Sequence, residues 1–362
     1  MKHPRIRRAS LLIASLALIA CAAGAQTFTP IQIFGAWHCG NDFCTWGTVR
    51  DPVEFDQQNH WLIDRGDGVP SVNLVMLSFV DPLKLLHKTT DGQTLDGIQR
   101  GMTPEIVDYF KSRGVRVGLS IGGITYVDFW NEALATDAVQ LGLNAAEAAI
   151  DLGVGIEIDY EEAQNPDLVG LEAFIDAYRS VLPYDASGAN HAARLTIDLA
   201  AGDRWLIGIA TKATTDWLTT ADPVLDYANA MVTARPYRKA SDAITNWQEH
   251  VDGKPQFNPP IPPLAPARFT GSLYLIARQP ISNCVDFTDS LQLATADYVQ
   301  SVLPNGAGTT PGMLGFMFWA AECSSTRAVC TTPADDSTCE GGMGVASTVF
   351  DVPVPMPPLR QE

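Results

Sequence analysis

Basic charge is scarce in this 362-residue chain: 24 Lys and Arg stand against 41 Asp and Glu, a formal net charge of −17. Four of the basic residues, Lys2, Arg5, Arg7 and Arg8, fall in the first eight positions, and residues 1–25 contain no acid. Without that segment the balance is 20 basic to 41 acidic residues. Such a surface repels a phosphate backbone, which argues against nucleic acid as a partner and leaves neutral or cationic ligands open. A membrane-spanning run is lacking too, because the apolar stretch Leu11–Ala20 is too short to cross a bilayer as a permanent helix. No CxxC pair occurs, and His38 is the only histidine next to a cysteine, which speaks against zinc. There is no internal repeat. What is present is a chain with 46% hydrophobic and 18% charged residues, 29 Gly and 24 Pro. That is too apolar for disorder and too punctuated for a coiled coil.

The N-terminus reads as an export signal. A basic segment, Lys2 to Arg8, precedes the apolar run, and small residues follow, ending in Ala23-Gly24-Ala25. Two cleavage sites compete. Ala-Gly-Ala before Gln26 suits an ordinary signal peptidase, whereas Leu18-Ile19-Ala20-Cys21 resembles a bacterial lipobox that would anchor the chain in a membrane through an acylated Cys21. Either way the expectation is a secreted, periplasmic or outer-membrane-anchored protein. Six other cysteines remain: Cys39, Cys44, Cys284, Cys323, Cys330 and Cys339. An even number in an oxidising compartment reads as disulfides with fifteen connectivities; short loops favour Cys39–Cys44 and Cys330–Cys339, leaving Cys284–Cys323.

Beyond the signal, short β-rich apolar runs alternate with helical stretches. The runs are Ile31–Trp37, Val72–Val80, Arg116–Ile121, Gly153–Asp159, Arg194–Leu199, Ala228–Thr233, Gly271–Ala277 and Met313–Trp319. Helices are expected from Pro104, capped by Thr103, over Asp137–Leu152 with Thr136 as cap, and over Asp167–Leu182, Ser241–Val251 and Asp289–Leu303. Continuously apolar strands separated by helices imply parallel pairing with both faces covered. Eight such units fit an α/β fold of the closed (β/α)8, or TIM-barrel, type; a doubly wound open sheet is the alternative. The expected organisation is a signal over 1–25, one catalytic domain over 26–325 with disulfide-stapled loops, and a Cys- and Pro-rich tail over 326–362.

The fourth run carries the chemistry. In Gly155-Ile156-Glu157-Ile158-Asp159-Tyr160-Glu161 successive side chains alternate, so Glu157, Asp159 and Glu161 share one face and Ile156, Ile158 and Tyr160 the other. Three carboxylates in a row on a buried strand cannot all ionise, so at least one keeps its proton at neutral pH. A retained proton beside an ionised carboxylate is what a general acid needs. The third run ends in Ser120-Ile121-Gly122-Gly123, a glycine turn that also admits a backbone or a sugar at close range.

Together these two segments resemble glycoside hydrolase family 18, the chitinase-like (β/α)8 enzymes, whose third strand carries S-x-G-G and whose fourth carries D-G-x-D-x-D-x-E. Here the second motif reads Val154-Gly155-Ile156-Glu157-Ile158-Asp159-Tyr160-Glu161. The final glutamate falls on Glu161, the aspartate before it on Asp159, and Glu157 and Val154 replace the two earlier aspartates. Val154 faces away from the barrel interior by parity. Ser78-Phe79-Val80 and Met317-Phe318-Trp319 agree with the family at the ends of the second and eighth strands. The sixth does not: where the family shows M-x-Y, this chain has Met231-Val232-Thr233. Tyr237, Tyr160 and Tyr126 are candidates for a replacement hydroxyl.

The resemblance implies a substrate-assisted, retaining hydrolase of β-1,4-linked N-acetylglucosamine glycans that needs no cofactor or metal and acts as a monomer on an N-acetylated polysaccharide or oligosaccharide. Glu161 would be the acid and base, Asp159 the stabiliser of the cationic intermediate, and Glu157 its proton partner. The substrate would be held by Trp319, Ser120, Gly122, Gly123, Phe79, Tyr126 and Met231. Trp37, Trp46, Trp130 and Trp205 are further aromatic candidates for sugar platforms, each equally readable as core. Asp203 and Arg204 would contact sugar hydroxyls or pair with each other. The alternative function is a carbohydrate-binding protein of the same fold with weakened catalysis, which the changes at Val154 and Thr233 favour and Glu161 opposes.

Overall fold

The computed structural model describes residues 32–39, 46–64, 68, 70, 72–200, 205–219, 221–231, 240–274, 297–304, 311–319 and 321. Within them eight strands close into a parallel barrel: β1 (Ile33–His38), β2 (Leu74–Val80), β3 (Arg116–Gly122), β4 (Gly155–Asp159), β5 (Leu195–Ala200), β6 (Ala228–Met231), β7 (Phe269–Tyr274) and β8 (Gly315–Trp319). Each strand pairs with the next in sequence, and β8 returns to β1 with Phe34 opposite Phe316 and Trp37 opposite Trp319. All eight runs expected from sequence contain a strand, with ends shifted by one or two residues where described; 232–233 and 275–277 of the sixth and seventh runs lie outside the described residues. The open-sheet alternative is excluded by the β1–β8 pairing. The six helices used below are α1 (Pro52–Ile63), α2 (Pro104–Lys111), α3 (Val127–Leu152), α4 (Leu168–Val181), α5 (Ile207–Lys212) and α6 (Ala240–Asp252). Among the described residues no helix is long and apolar enough to cross a membrane.

Local chemistry sets several helix ends. The Thr103 hydroxyl accepts from the Ile106 N–H at 3.3 Å with Pro104 next, and Asp167 accepts from the Gly170 N–H at 2.8 Å. The second expected helix start is corrected. α3 begins ten residues before Asp137 and breaks there (φ −162°, ψ 82°), and the side chain that restarts it is Asp137, accepting from the Gln140 N–H at 2.9 Å. Asp137, not Thr136, is therefore the cap, because its carboxylate reaches an amide that the break leaves unpaired. α3 ends at Gly153 in the left-handed conformation (φ 64°, ψ 42°), which glycine adopts without steric cost.

The strands' alternation divides the core in two. Phe34, Val75, Leu77, Leu119, Ile121, Val154, Ile156, Ile158, Ile197 and Leu199 face the helices in one continuous cluster. Val154 thus lies on the helix side, as its parity predicts. Inside the barrel, Ile33, Trp37, Leu74, Met76, Tyr227, Leu314 and Met317 form a separate apolar plug, with Trp319 packed on it. Size complementarity builds that plug. A Cβ on Gly118 would stand 2.2 Å from the Met76 sulfur, and one on Gly35 2.5 Å from that of Met317. The barrel walls are glycine where the methionines lie.

Candidate active site

Above the plug the inward face turns polar, toward the C-terminal ends of the strands where barrel enzymes build their sites. β4 sends Glu157 and Asp159 inward, and Glu161 follows two residues beyond its end. Their exposures, 0%, 4% and 8%, rise in that order, so the three acids climb from the closed interior to the barrel mouth. The expected alternation holds on the opposite face too. Tyr160 points into the helix layer, where its hydroxyl donates to Asn131 Oδ1 at 2.5 Å and accepts from the Asp167 N–H at 3.1 Å. Its orientation withdraws it as a replacement hydroxyl for the site.

Glu157 is held by donors. The Trp37 indole N–H donates to Oε1 at 2.7 Å and the Asn229 side-chain amide to Oε2 at 2.6 Å. Asn229 is oriented in turn by the Thr270 hydroxyl, which donates to its Oδ1 at 2.5 Å. Among the described residues no Lys or Arg forms a salt bridge with Glu157, so its partners here are neutral dipoles. Burial raises its pKa, opposed by Ser120, Trp37, Asp198 and Asn229. Asp159 is pushed well above the ordinary carboxylate range by burial, then by the negative charges of Glu161 and Glu157. Its Oδ1 is buried without a hydrogen-bond partner. Glu161 is raised by burial to about 8, against a hydrogen bond from the Ile124 backbone N–H that favours its anion.

A fourth acid joins them. Asp198 of β5 is 3% exposed, and its carboxyl lies within hydrogen-bonding range of Glu157. Sequence reasoning missed it, along with the partner roles of Trp37, Asn229 and Ile124. For Asp198 a signal existed, since Thr196 and Asp198 repeat the polar i, i+2 spacing of β4 on the neighbouring strand.

The remaining candidates sort by depth. Phe79 and Trp319 are half-buried at the mouth, with their rings stacked at a centroid distance of 5.6 Å and an interplanar angle of 20°. Phe79 reaches that place because the β2–β3 register slips between Ser78 and Val80, leaving Phe79 as a bulged residue. Tyr126, half-buried in the turn after β3, packs its ring against Phe129 with centroids 5.8 Å apart, and its hydroxyl pKa is raised by burial and by the charge of Asp81. Met231 closes β6 and is nearly buried.

Ser120 is buried beside Glu157, its register partner on β4, and Gly122 and Gly123 are buried at the end of β3. Gly123 donates its N–H to the Asp159 carbonyl at 2.9 Å, and a Cβ on Gly122 (φ +119°) would meet that carbonyl oxygen at 2.1 Å. These glycines let β3 approach β4 and so position the acids. Trp46 and Trp130 are core residues, donating their indole N–H groups to the His38 and Ile121 carbonyls. Trp205 packs half-buried against the same core. Thr233, Tyr237, Asp203 and Arg204 lie outside the described residues, as do residues 1–31, the tail beyond 321 and every cysteine except Cys39. Among the described residues no group of three or more His, Cys, Asp or Glu is arranged to hold a metal ion.

Fold and site together define a closed (β/α)8 barrel with a column of buried acids opening at its C-terminal mouth between aromatic rings. Solved chitinases share this architecture. A family 18 chitinase from Pseudoalteromonas aurantia superposes with a TM-score of 0.50 at 12% identity, covering 80% of this chain and 93% of that one. A chitinase from Rhizomucor miehei gives 0.50 at 14% identity, covering 88% and 100%. At such identities the likeness is one of fold. The sequence matches no family model and no curated protein.

Proposed function

We propose that this protein is an exported glycoside hydrolase of the chitinase type, acting on β-1,4-linked N-acetylglucosamine glycans. The observation that carries the reading is Glu161: a carboxyl at the rim of the acid column, raised to about 8 and so protonated at neutral pH. That is the state a general acid needs before it meets substrate. The fold it shares with chitinases, and the sequence resemblance centred on Asp159 and Glu161, support the same reading.

In this mechanism Glu161 gives its proton to the glycosidic oxygen. The substrate's acetamido carbonyl, and no protein carboxylate, attacks the anomeric carbon from the opposite face, the recognised exception to two-carboxylate glycosidases. Asp159 lies one strand repeat deeper, oriented to accept from the acetamido N–H and to stabilise the oxazolinium charge. Glu161, now ionised, draws the proton from the attacking water and restores the anomeric configuration. Trp319, half-exposed and backed by the apolar plug and Phe79, presents a ring on which a pyranose can stack.

Hydrolysis of fluorogenic chitobiose and chitotriose glycosides tests the proposal, with a thiazoline that mimics the oxazolinium as inhibitor. Turnover with tight thiazoline inhibition is the expected result, since such analogues bind well only to substrate-assisted sites. Glycan binding without turnover would instead favour the carbohydrate-binding reading suggested by Thr233 in place of the family's tyrosine. For export, mass spectrometry of the cell fractions is expected to find diacylglyceryl-Cys21 or a chain beginning at Gln26; an unprocessed cytoplasmic chain would contradict both.

A further inference from the structure

The acid column contains one carboxyl more than the proposed reaction uses. Asp198 projects from β5 into the barrel, its carboxyl within hydrogen-bonding range of Glu157 and its Oδ1 buried with no partner. Two carboxyl groups at that range need a proton between them, because two anions there would repel in a low dielectric. The surrounding donors say which group holds it. Indole and amide N–H groups can only donate, and Trp37 and Asn229 occupy one oxygen each of Glu157. Thr270 fixes the Asn229 amide with its oxygen turned away from Glu157. Glu157 is therefore built to be the acceptor.

We propose that Asp198 is a positioning residue that carries the proton of this pair and donates it to an anionic Glu157. The groups facing Asp198 are consistent across every strand beside it. β4 contributes Glu157 and Asp159 with Glu161 beyond them, while the described buried polar side chains of β6 and β7 are the neutral Asn229, Thr270 and Ser272. No described cation forms a salt bridge with Asp198. Burial, then the charges of Glu157 and Asp159, hold its pKa well above the ordinary aspartate range.

The placement is independent of the proposed function; only its kinetic consequence rests on that reading. With the Asp198 proton in place, Glu157 keeps its negative charge behind Asp159. It is then the base to which Asp159 can pass its own proton as positive charge develops on the substrate. Asp198 touches no reacting atom in this scheme.

Linkage gives a test that needs no turnover. Free Asp ionises near pH 3.9, so a folded chain that keeps Asp198 protonated binds a proton that the unfolded chain has released. Wild-type stability should therefore fall with rising pH relative to Asp198→Asn, which is neutral throughout and still offers an N–H to Glu157. The ratio of folding constants, Asp198→Asn over wild type, is expected to rise about tenfold per pH unit between pH 5 and 7 in urea titrations. A ratio that is flat or falls with pH overturns the proposal.

Should Asp198→Asn fail to fold, NMR of Asp159→Asn protein labelled with 13C at the aspartyl carboxyl carbons decides. One buried aspartyl carbon at its protonated position at pH 7 supports the placement, and none overturns it. Absence of chitobioside hydrolysis would refute the proposed function while leaving both results to stand on their own.

Discussion

Glu161→Gln should make the protein slower and more stable at once. The side chain is nearly isosteric, so the fold and the Ile124 contact region are retained, but the proton that would be given to the leaving oxygen is gone. Loss of a general acid costs at least about 100-fold in rate on an unactivated substrate. The stability change follows from the sign of the pKa shift. Folded Glu161 titrates at about 8, against 4.5 for an ordinary glutamate. Between those values the unfolded chain is ionised and the folded chain is not, so wild-type stability declines as pH rises. At about 1.4 kcal/mol per unit, the penalty accumulated by pH 7 is at most about 3.5 kcal/mol, an upper bound because neighbouring acids titrate with it.

Gln carries no such penalty. The variant should match wild type below about pH 4 and exceed it by about 1–3 kcal/mol at pH 7. Urea denaturation at four or five pH values, with turnover of chitotrioside measured on the same preparations, reads both quantities. A variant that keeps its rate would refute the catalytic assignment. One whose stability difference does not change with pH would refute the claim that burial keeps Glu161 protonated.

For the wild type, kcat/KM should hold through neutral pH and fall above about pH 8 as the acid form is lost, and a decline already complete by pH 6 would contradict the shift on Glu161. Trp37→Phe removes one of two fixed donors to a buried anion and should cost about 1.5–3 kcal/mol in urea titrations, the scale of a hydrogen bond to a charged group; a change below about 0.5 kcal/mol would mean the bond does not carry charge. Trp319→Ala should raise KM for chitotrioside about tenfold or more with a smaller effect on kcat, as expected for loss of an apolar sugar platform, and an unchanged KM would place the sugar elsewhere. Gly118→Ala drives a methyl against the Met76 sulfur and should cost about 1–3 kcal/mol, largely recovered in the Gly118→Ala, Met76→Ala double variant; additive losses in calorimetry would show that the clash is with the backbone instead.

The local rules written in the sequence went far here. Two-residue alternation put Glu157, Asp159 and Glu161 on one face and Val154 on the other, and short-range side-chain chemistry marked Thr103 as a cap. Eight apolar runs separated by helical segments narrowed the fold to a parallel sheet covered on both faces, closed or open. Parity, capping and patterning act over a few residues and so are legible one residue at a time.

Barrel closure decided the rest. Trp37, Asp198 and Asn229 lie 120, 41 and 72 positions from Glu157 in sequence, and no local rule connects them. Only the order of strands around the axis brings their donors to one carboxylate and decides which acid is the anion. Depth along that axis, set by the stagger of the strands, sorted the aromatics. Trp46 and Trp130 went into the core, Trp37 below the acids, and Phe79 and Trp319 to the mouth. The register slip that aims Phe79 exists only between β2 and β3. The sequence alone indicated which residues are acidic and inward. Their protonation depends on desolvation and on partners from other strands, and those are properties of the closed barrel.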